Sequence, residues 1–279
     1  FPTRRSSDLI SQLFKHAMTC LLMASAMVTV SAQEKPMVKE FGATPPKSVA
    51  YIGNSFFYFN NGIVSNLSPM VAEGIKGHPY RSSMITISGS GFDWHDVDSY
   101  FRPNGIGKYS FDANNNVIMN TSNDKLFEVA VMMDCSQCPI HPSLKPVFYE
   151  YAKKHSDTVR QHGSSPVFFM SWAYQDKPEM TQQLADAYTA AGNANKALVI
   201  PAGLAFAKSI AIKPDLNLYA PDKRHPSVEG TYLSAATTYA TLFNKSPVGL
   251  KFSAGLPPEV ATHLQQVRSP SELSPSRRI

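Results

Sequence analysis

Short apolar segments alternate with segments of helical periodicity along most of this 279-residue chain, and this alternation constrains the fold more than any other feature. The apolar segments lack the polar alternation of half-exposed strands, which is typical of strands buried on both faces of a sheet. Five segments are predicted to be strands: 48–52, 83–88, 127–133, 166–171 and 197–200. Helices are predicted over 63–76, 146–162, 179–193, 204–212 and 227–243. This order predicts an α/β fold with a parallel sheet covered by helices on both faces.

One domain is expected to hold all of these elements. The sequence contains no internal repeat and no linker that would divide it, so we assign the domain to residues 47–245. Residues 92–125 are rich in Asn, Asp and Gly, and we interpret them as loop with a helical turn around 94–101. Residues 33–46 are expected to be a flexible linker, and residues 246–279 a tail that wraps around the domain.

The first 32 residues are predicted not to belong to the mature fold. Lys15 and His16 precede an apolar run of about 14 residues, which is too short for a membrane span and typical of a signal peptide. Small residues precede an expected cleavage site after Ala32, so the mature protein would be secreted or periplasmic, without stable membrane insertion. The alternative is a buried N-terminal helix. Residues 1–9 resemble translated sequencing adapter, and the last dozen residues are also a suspected artefact.

Composition and charge favour a globular protein that does not bind nucleic acid. Hydrophobic residues make up 43% of the chain and charged residues 17%, which is incompatible with a disordered protein. The formal net charge of +5 is modest, and no stripe of Lys and Arg is interleaved with aromatic residues. We therefore expect no nucleic-acid partner.

Cys135 and Cys138 are the two cysteines that remain after removal of the signal peptide. Their spacing has three interpretations: a structural disulfide in an oxidising compartment, two reduced packing residues, or a thioredoxin-like redox centre. The redox motif normally begins a helix, whereas Pro139 and Pro142 discourage a helix here. A single cysteine pair without nearby histidines does not predict zinc, so no metal site is expected.

A serine follows the first predicted strand directly, in the run Gly53-Asn54-Ser55. Functional groups gather at the carboxyl ends of parallel strands. A glycine permits a sharp turn there, which would present the hydroxyl of Ser55 above the sheet. The backbone N–H of Ser55, near the start of a helix, would then point at a developing oxyanion.

Asp222 and His225 lie three residues apart, just ahead of the last predicted helix. A serine hydroxyl needs a base to become a nucleophile, and imidazole suits that role when a carboxylate holds its other nitrogen. The alternative is that Asp222 caps a helix and His225 is a surface residue.

Together these two segments resemble the first and last conserved blocks of the SGNH (GDSL-type) hydrolase superfamily. The last block here reads Asp222-x-x-His225-Pro-Ser-x-x-Gly-Thr-Tyr, and the resemblance spans about residues 47–255. It is strongest to a bacterial branch whose first block reads Gly-Asn-Ser. The resemblance implies a three-layer α/β/α, flavodoxin-like fold with a parallel five-stranded sheet. It also implies ester hydrolysis without metal or organic cofactor, with Ser55 as nucleophile, His225 as base and Asp222 as its partner.

The resemblance further implies an oxyanion hole, with main-chain N–H groups of Ser55 and of a glycine after the second strand. We assign the glycine to Gly89, with Gly91 as the alternative; both are also explicable as turn glycines. Superfamily members normally add an Asn side chain after the third strand, but this chain has none there. We assign that role to Gln137, whose amide is of the same type on a longer side chain.

Two further groups of residues have open assignments. His95 either faces the substrate or is a hydrogen-bonded structural residue. The aromatic residues around the end of the fourth strand, Trp172 and Tyr174, together with Gln175, either floor a sugar-binding cleft or belong to the core.

The leading functional hypothesis is an exported serine esterase that hydrolyses small-molecule or glycan esters through an acyl-enzyme, with deacetylation of a carbohydrate as the candidate reaction. A non-catalytic binding protein on the same scaffold is the alternative, favoured by the missing Asn. A thiol redox protein that uses Cys135 and Cys138 is the third hypothesis.

Overall fold

A computed structural model describes residues 34–102, 109–111, 117–119 and 125–267. The predicted signal peptide, the suspected adapter sequence and the last dozen residues lie outside these ranges. Within the described part of the chain, none of the helices combines the length and the apolar character needed to cross a bilayer.

Strands and helices alternate as the sequence predicts, with additional short elements between them. The strands are β1 (Ser48–Gly53), β2 (Arg81–Thr86), β3 (Tyr109–Phe111), β4 (Val117–Met119), β5 (Val129–Met132), β6 (Ser165–Phe169) and β7 (Leu198–Ile200). The first helices are α1 (Ser55–Tyr58), α2 (Gly62–Gly74) and α3 (Val97–Phe101), with a 3₁₀ turn at Phe92–Trp94. They are followed by α4 (Lys145–Gln161), α5 (Met180–Ala194), α6 (Ala202–Ile212), α7 (Val228–Phe243) and α8 (Pro258–Gln266).

The main sheet has five parallel strands in the order β2-β1-β5-β6-β7. Strand β1 therefore lies between β2 and β5, with Ile52 opposite Ile85 on one side and Met132 on the other. All residues of β1 and β5 are buried, which explains their continuous apolar sequence. Helices α2, α7 and α8 pack together, and α3, α4 and α5 form a second packed group. The predicted three-layer α/β/α, flavodoxin-like fold is confirmed.

Helix α7 is buried along nearly its whole length, because α2, α6 and α8 surround it. Ser227 caps its first turn by accepting a hydrogen bond from the N–H of Gly230 at 3.2 Å. The preceding segment 219–226 lies at the carboxyl edge of the sheet, where Trp172 and Gln175, which follow β6, donate hydrogen bonds to its main chain.

One region differs from the sequence-based expectation, and two others make contacts that the sequence does not indicate. Strands β3 and β4 pair as an antiparallel hairpin inside the segment 92–125, which we had expected to be loop. Residues 34–46 are the described part of the expected flexible linker 33–46, and near their start Asn193 of α5 accepts a hydrogen bond from the N–H of Met37 at 2.7 Å. The described part of the expected tail contains α8, whose Gln265 donates to the hydroxyl of Tyr232 in α7 at 2.8 Å.

Candidate active site

The chain turns sharply at the carboxyl end of β1, directly before Ser55. A Cβ atom at Gly53 would lie 3.0 Å from the ring of Phe57 and 3.2 Å from the carbonyl oxygen of Met133. Only glycine allows this close approach without displacing its neighbours. Ser55 is then the first residue of α1, so its main-chain N–H belongs to the open first turn of that short helix.

Ser55, His225 and Asp222 form a continuous chain of hydrogen bonds. The distance between Oγ of Ser55 and Nε2 of His225 is 2.8 Å, although the two residues are 170 positions apart. Nδ1 of the same ring is hydrogen-bonded to Oδ2 of Asp222. This arrangement leaves Nε2 facing the serine hydroxyl, as proton transfer from serine requires.

Asp222 is held by its own turn. Its Oδ1 accepts hydrogen bonds from the main-chain N–H groups of Arg224 at 3.0 Å and His225 at 2.9 Å, while Oδ2 faces the imidazole. Partial burial raises the pKa of the Asp222 carboxyl, but the hydrogen bonds from the ring and from the two N–H groups outweigh it and lower the pKa to about 2. Asp222 is therefore ionised at neutral pH and can stabilise an imidazolium at His225.

Aromatic side chains fix the orientation of the His225 ring. Phe59 stacks on it with a centroid distance of 4.1 Å and an interplanar angle of 16°, and Phe56 meets it edge-on at 5.2 Å. Phe56 also stacks on Trp172 at 4.8 Å, and Trp172 stacks on Phe206 at 4.3 Å. The imidazole thus packs against the end of a column of rings that reaches into the core.

The column of rings also anchors the segment that carries Asp222 and His225. The indole N–H of Trp172 donates to the main-chain oxygen of Arg224 at 2.9 Å. The main-chain N–H of Gln175 donates to the main-chain oxygen of Lys223 at 3.0 Å. Trp172 is 0% exposed, so it belongs to the core and does not floor a cleft. From the other side, Asn60 donates to the carbonyl oxygen of Pro226 at 2.7 Å.

Asn54 links three loops at this edge of the sheet. Its Oδ1 caps α1 by accepting from the N–H of Phe56 at 3.2 Å. Its Nδ2 donates to the main-chain oxygens of Ser90 and Asp134, both at 3.1 Å. Since Ser90 follows β2 and Asp134 follows β5, one buried amide joins the ends of three adjacent strands.

Gly89 lies in a turn that is bonded to the end of β1. The N–H of Ile87 and the hydroxyl of Ser90 both donate to the carbonyl oxygen of Gly53, at 3.0 and 3.1 Å. Gly89 has a φ of +72°, and no atom lies within 4 Å of the position its Cβ would take. Within the described ranges, no group accepts a hydrogen bond from the N–H of Ser55 or of Gly89.

Gly91, the alternative to Gly89, has a different structural reason to be glycine. An added Cβ would lie 2.7 Å from Oδ1 of Asp93 and 3.0 Å from Oδ1 of Asp134. Gly91 is therefore a glycine because a side chain there would collide with these two carboxyl groups. Gly89 is a glycine because its φ is positive, although there is space for a side chain.

Gln137 lies in the loop after β5, where a disulfide between Cys135 and Cys138 encloses it. Its main-chain oxygen accepts from the N–H groups of Ile140 at 3.0 Å and His141 at 2.8 Å. No residue in the described part of the chain is bonded to its half-buried side-chain amide. The disulfide lies in a loop and not at the start of a helix, which is unlike the thioredoxin-like arrangement.

Asp134, which precedes this disulfide, is a buried carboxyl group. Its Oδ1 accepts hydrogen bonds from the N–H groups of Phe92 at 2.8 Å and Cys135 at 2.7 Å. Burial outweighs these bonds and raises its pKa to about 7. Asp134, Cys135 and Cys138 cluster closely enough to suggest metal ligands, but both sulfur atoms are engaged in the disulfide.

His95 is held by the fold. Its Nε2 is 3.0 Å from Oγ of Ser90, and its Nδ1 is 3.0 Å from the hydroxyl of Tyr100. Burial, reinforced by the neighbouring His155, lowers the pKa of His95 to about 4. Of the two sequence-based assignments, the structure supports the hydrogen-bonded structural residue.

Several contributors to this site carry no recognisable signal in the sequence. Phe56, Phe59 and Asn60 are ordinary residues of an apolar-polar segment, and their contacts with the His225 segment arise only through tertiary structure. Asn54 stood in the first conserved block, but nothing in a single sequence indicates that its amide bridges two other loops.

No protein-family model matches this sequence, and no curated protein matches it either. Solved structures do match at the level of the fold. A candidate SGNH hydrolase from Slackia heliotrinireducens aligns with a TM-score of 0.51 and 18% identity, over 70% of this chain and 98% of its own. A GDSL-like lipase candidate from Parabacteroides merdae aligns with a TM-score of 0.55 and 11% identity, over 74% of this chain and 100% of its own.

A third similar structure is a catalytic mutant of an acetylxylan esterase from Geobacillus stearothermophilus. It aligns with a TM-score of 0.52 and 12% identity, over 77% of this chain and 98% of its own. These structures align over nearly their whole length with the five-stranded parallel sheet and helical layers of this chain, so the chain has the fold of the SGNH hydrolases.

Proposed function

We propose that this protein is a serine esterase in which Ser55, His225 and Asp222 form the catalytic triad. The observation that carries the proposal is the 2.8 Å distance between Oγ of Ser55 and Nε2 of His225, together with the ionised carboxylate on Nδ1 of the same ring. A hydroxyl, an imidazole and a carboxylate in this order provide a nucleophile, a base and a group that stabilises the protonated base.

The reaction proceeds through an acyl-enzyme. His225 removes the proton from Ser55 as Oγ attacks the ester carbonyl carbon, and the carbonyl oxygen becomes an oxyanion. When the tetrahedral intermediate collapses, the bond to the alcohol oxygen breaks and His225 donates its proton to that oxygen. Water then attacks the acyl group on Ser55, with His225 as base, which releases the acid and restores the hydroxyl.

The oxyanion is stabilised by the main-chain N–H groups of Ser55 and Gly89 and by the side-chain amide of Gln137. The two N–H groups are free to donate, and the turn that carries Gly89 is bonded to the end of β1. Removing one donor of this type lowers kcat by about 10²–10³ in enzymes generally. We therefore expect Gln137→Ala to lower kcat by about that factor, and an unchanged kcat would exclude the amide from the oxyanion hole.

Active-site labelling tests the assignment most directly. A fluorophosphonate probe forms a stable adduct with an activated serine, so wild type should gain one label by intact mass and Ser55→Ala should gain none. Ester hydrolysis by Ser55→Ala should fall by about 10³-fold or more. Ser143→Ala, at an exposed position, is the matched control and should keep both labelling and activity. Labelling of Ser55→Ala to the wild-type extent would overturn the assignment.

We further propose that the protein is exported and acts on acylated carbohydrates. A disulfide at Cys135–Cys138 is typical of an oxidising compartment, and one structure with the same fold is an acetylxylan esterase. Release of acetate from acetylated xylan should exceed hydrolysis of long-chain triglycerides. N-terminal sequencing of the protein from the periplasm or medium should begin at Gln33.

A non-catalytic binding protein is the second candidate function. It is favoured by the segment after β5, where Gln137 stands in place of an Asn side chain. In that case wild type and Ser55→Ala would be equally inactive on a broad ester panel, yet both would bind an acylated glycan.

A further inference from the structure

Arg224 lies between the proposed triad residues in sequence, and its side chain crosses toward the neighbouring strand end. Its guanidinium lies over the ring of Tyr174, 4.8 Å from the centroid. Tyr174 is 6% exposed, and its hydroxyl is 2.7 Å from Oγ of Ser136. A buried ring that is anchored at its hydroxyl thus supports an exposed cation.

The guanidinium of Arg224 has no ionic partner in the part of the chain that the structure describes. Among the described residues, no carboxylate lies within ion-pair distance of its guanidinium, and no group accepts a hydrogen bond from it. Asp222, two residues away, is already occupied by the imidazole and by two main-chain N–H groups. The stacked guanidinium therefore keeps its planar set of N–H donors available for a ligand.

The position of Arg224 next to His225 places it on the side of the site where the alcohol portion of the ester would bind. His225 has to donate a proton to the departing alcohol oxygen, so the alcohol portion of the ester lies on the His225 side of Ser55. Arg224 directly precedes His225, and its main-chain oxygen is fixed by the indole of Trp172 at 2.9 Å. The Tyr174 ring under its guanidinium is bonded through its hydroxyl to Ser136, which is adjacent in sequence to the proposed oxyanion donor Gln137.

We infer that Arg224 determines specificity by binding a carboxylate on the alcohol portion of the ester, as in an O-acetylated uronic acid. This inference rests on the proposed esterase function and names the class of substrate. A guanidinium matches a carboxylate through two parallel hydrogen bonds, and such charge-assisted bonds are stronger than neutral ones. The exposure of Arg224 limits the gain, so we expect a preference of about tenfold in kcat/KM for the acidic substrate.

The test compares oligogalacturonate with oligogalactose of the same linkage, both acetylated at the ring hydroxyls, because galactose has a neutral hydroxymethyl group where galacturonate has its carboxylate. Wild type should favour the acidic substrate about tenfold at low salt, and 0.5 M NaCl should reduce the ratio because the contact is exposed. Arg224→Gln should lower the ratio to about one, and Arg224→Lys should leave an intermediate ratio. Lys223→Gln, which removes the adjacent exposed charge, is the matched control and should retain the wild-type ratio.

Calorimetry with Ser55→Ala separates this inference from the proposed function. Tighter binding of oligogalacturonate than of oligogalactose, lost in Ser55→Ala/Arg224→Gln, supports the carboxylate site even if wild type hydrolyses neither ester. Hydrolysis of both esters by wild type with equal kcat/KM would overturn the inference while leaving the esterase intact. A preference that Arg224→Gln retains, or that Lys223→Gln loses equally, would also overturn it.

Discussion

Asn54 is expected to be the most consequential non-catalytic residue at this edge of the sheet, and Asn54→Ala is the perturbation that tests it. The side chain is 4% exposed and makes three hydrogen bonds. Alanine removes the cap of α1 and leaves the buried main-chain oxygens of Ser90 and Asp134 without this donor. The substitution should therefore loosen three loops at once.

The magnitude follows from the three bonds. Loss of an N-cap costs about 1 kcal/mol, and each buried carbonyl that loses its donor costs about 1 kcal/mol or somewhat more. The free energy of unfolding should fall by about 3–4 kcal/mol in Asn54→Ala. Asn54→Ser keeps a capping oxygen but cannot bridge the two loops, so it should lose about 2–3 kcal/mol. Asn54→Asp would put a carboxylate against two carbonyl oxygens and should be at least as unstable as Asn54→Ala.

Urea unfolding, followed by fluorescence of the buried Trp172, measures these differences by linear extrapolation. Asn66→Ala is a matched control, since Asn66 is also buried but, among the described residues, its side chain bonds only to the main-chain oxygen of Gly62 in the same helix, at 3.1 Å. That control should lose about 1 kcal/mol. If Asn54→Ala and Asn66→Ala were equally stable, the bridging role of Asn54 would be refuted.

Three further predictions concern the surroundings of the site. Phe59→Ala removes the ring stacked on His225, so kcat should fall about tenfold with little change in KM, whereas Phe59→Tyr should retain activity. Steady-state kinetics on a short-chain ester measures both variants, and an unchanged kcat in Phe59→Ala would contradict the role of stacking. Because the pKa of Asp134 is raised to about 7 in the folded protein, its neutral form favours folding below pH 4 and this contribution is lost as the pH rises through 7. Asp134→Asn should therefore gain stability relative to wild type between pH 4.5 and 8, by about 3 kcal/mol. Urea unfolding of both proteins at both pH values measures this gain, and an equal stability difference at pH 4.5 and pH 8 would contradict the reasoning. Reduction of the Cys135–Cys138 disulfide should lower the free energy of unfolding by about 2 kcal/mol and should lower kcat by loosening the loop around Gln137. A Cys135→Ser/Cys138→Ser variant should match the reduced wild type in unfolding and ester assays, and reductant should not change it further.

The order and type of the main elements could be read from the sequence because they depend on local patterns. Continuous apolar runs identified the buried strands β1 and β5, and the helical spacing between them identified α2. The hairpin of β3 and β4 was missed because each strand has only three residues, within a polar segment. Such short strands depend on pairing with each other and leave little periodicity to detect.

The candidate site likewise contains one contact that depends on local sequence and one that depends on tertiary structure. Asp222 and His225 are three residues apart, so their contact is a local property of one turn that a sequence pattern can indicate. The contact between Ser55 and His225 spans 170 positions and depends on where the turn after β1 lies relative to the start of α7. A resemblance between conserved blocks suggested this meeting, but only tertiary structure gives its distance.

By itself the sequence determined the fold class, the strands of the main sheet and the residue types that the proposed chemistry needs. The tertiary structure decided which distant residues meet: Asn54 bridges the loops after β2 and β5, and Phe59 stacks on His225. It also decided that Trp172 is core and that Arg224 lies over Tyr174. The physical reason is that periodicity and turn preferences act between near neighbours, whereas these contacts follow from a sheet order, β2-β1-β5-β6-β7, that brings sequence-distant strand ends together.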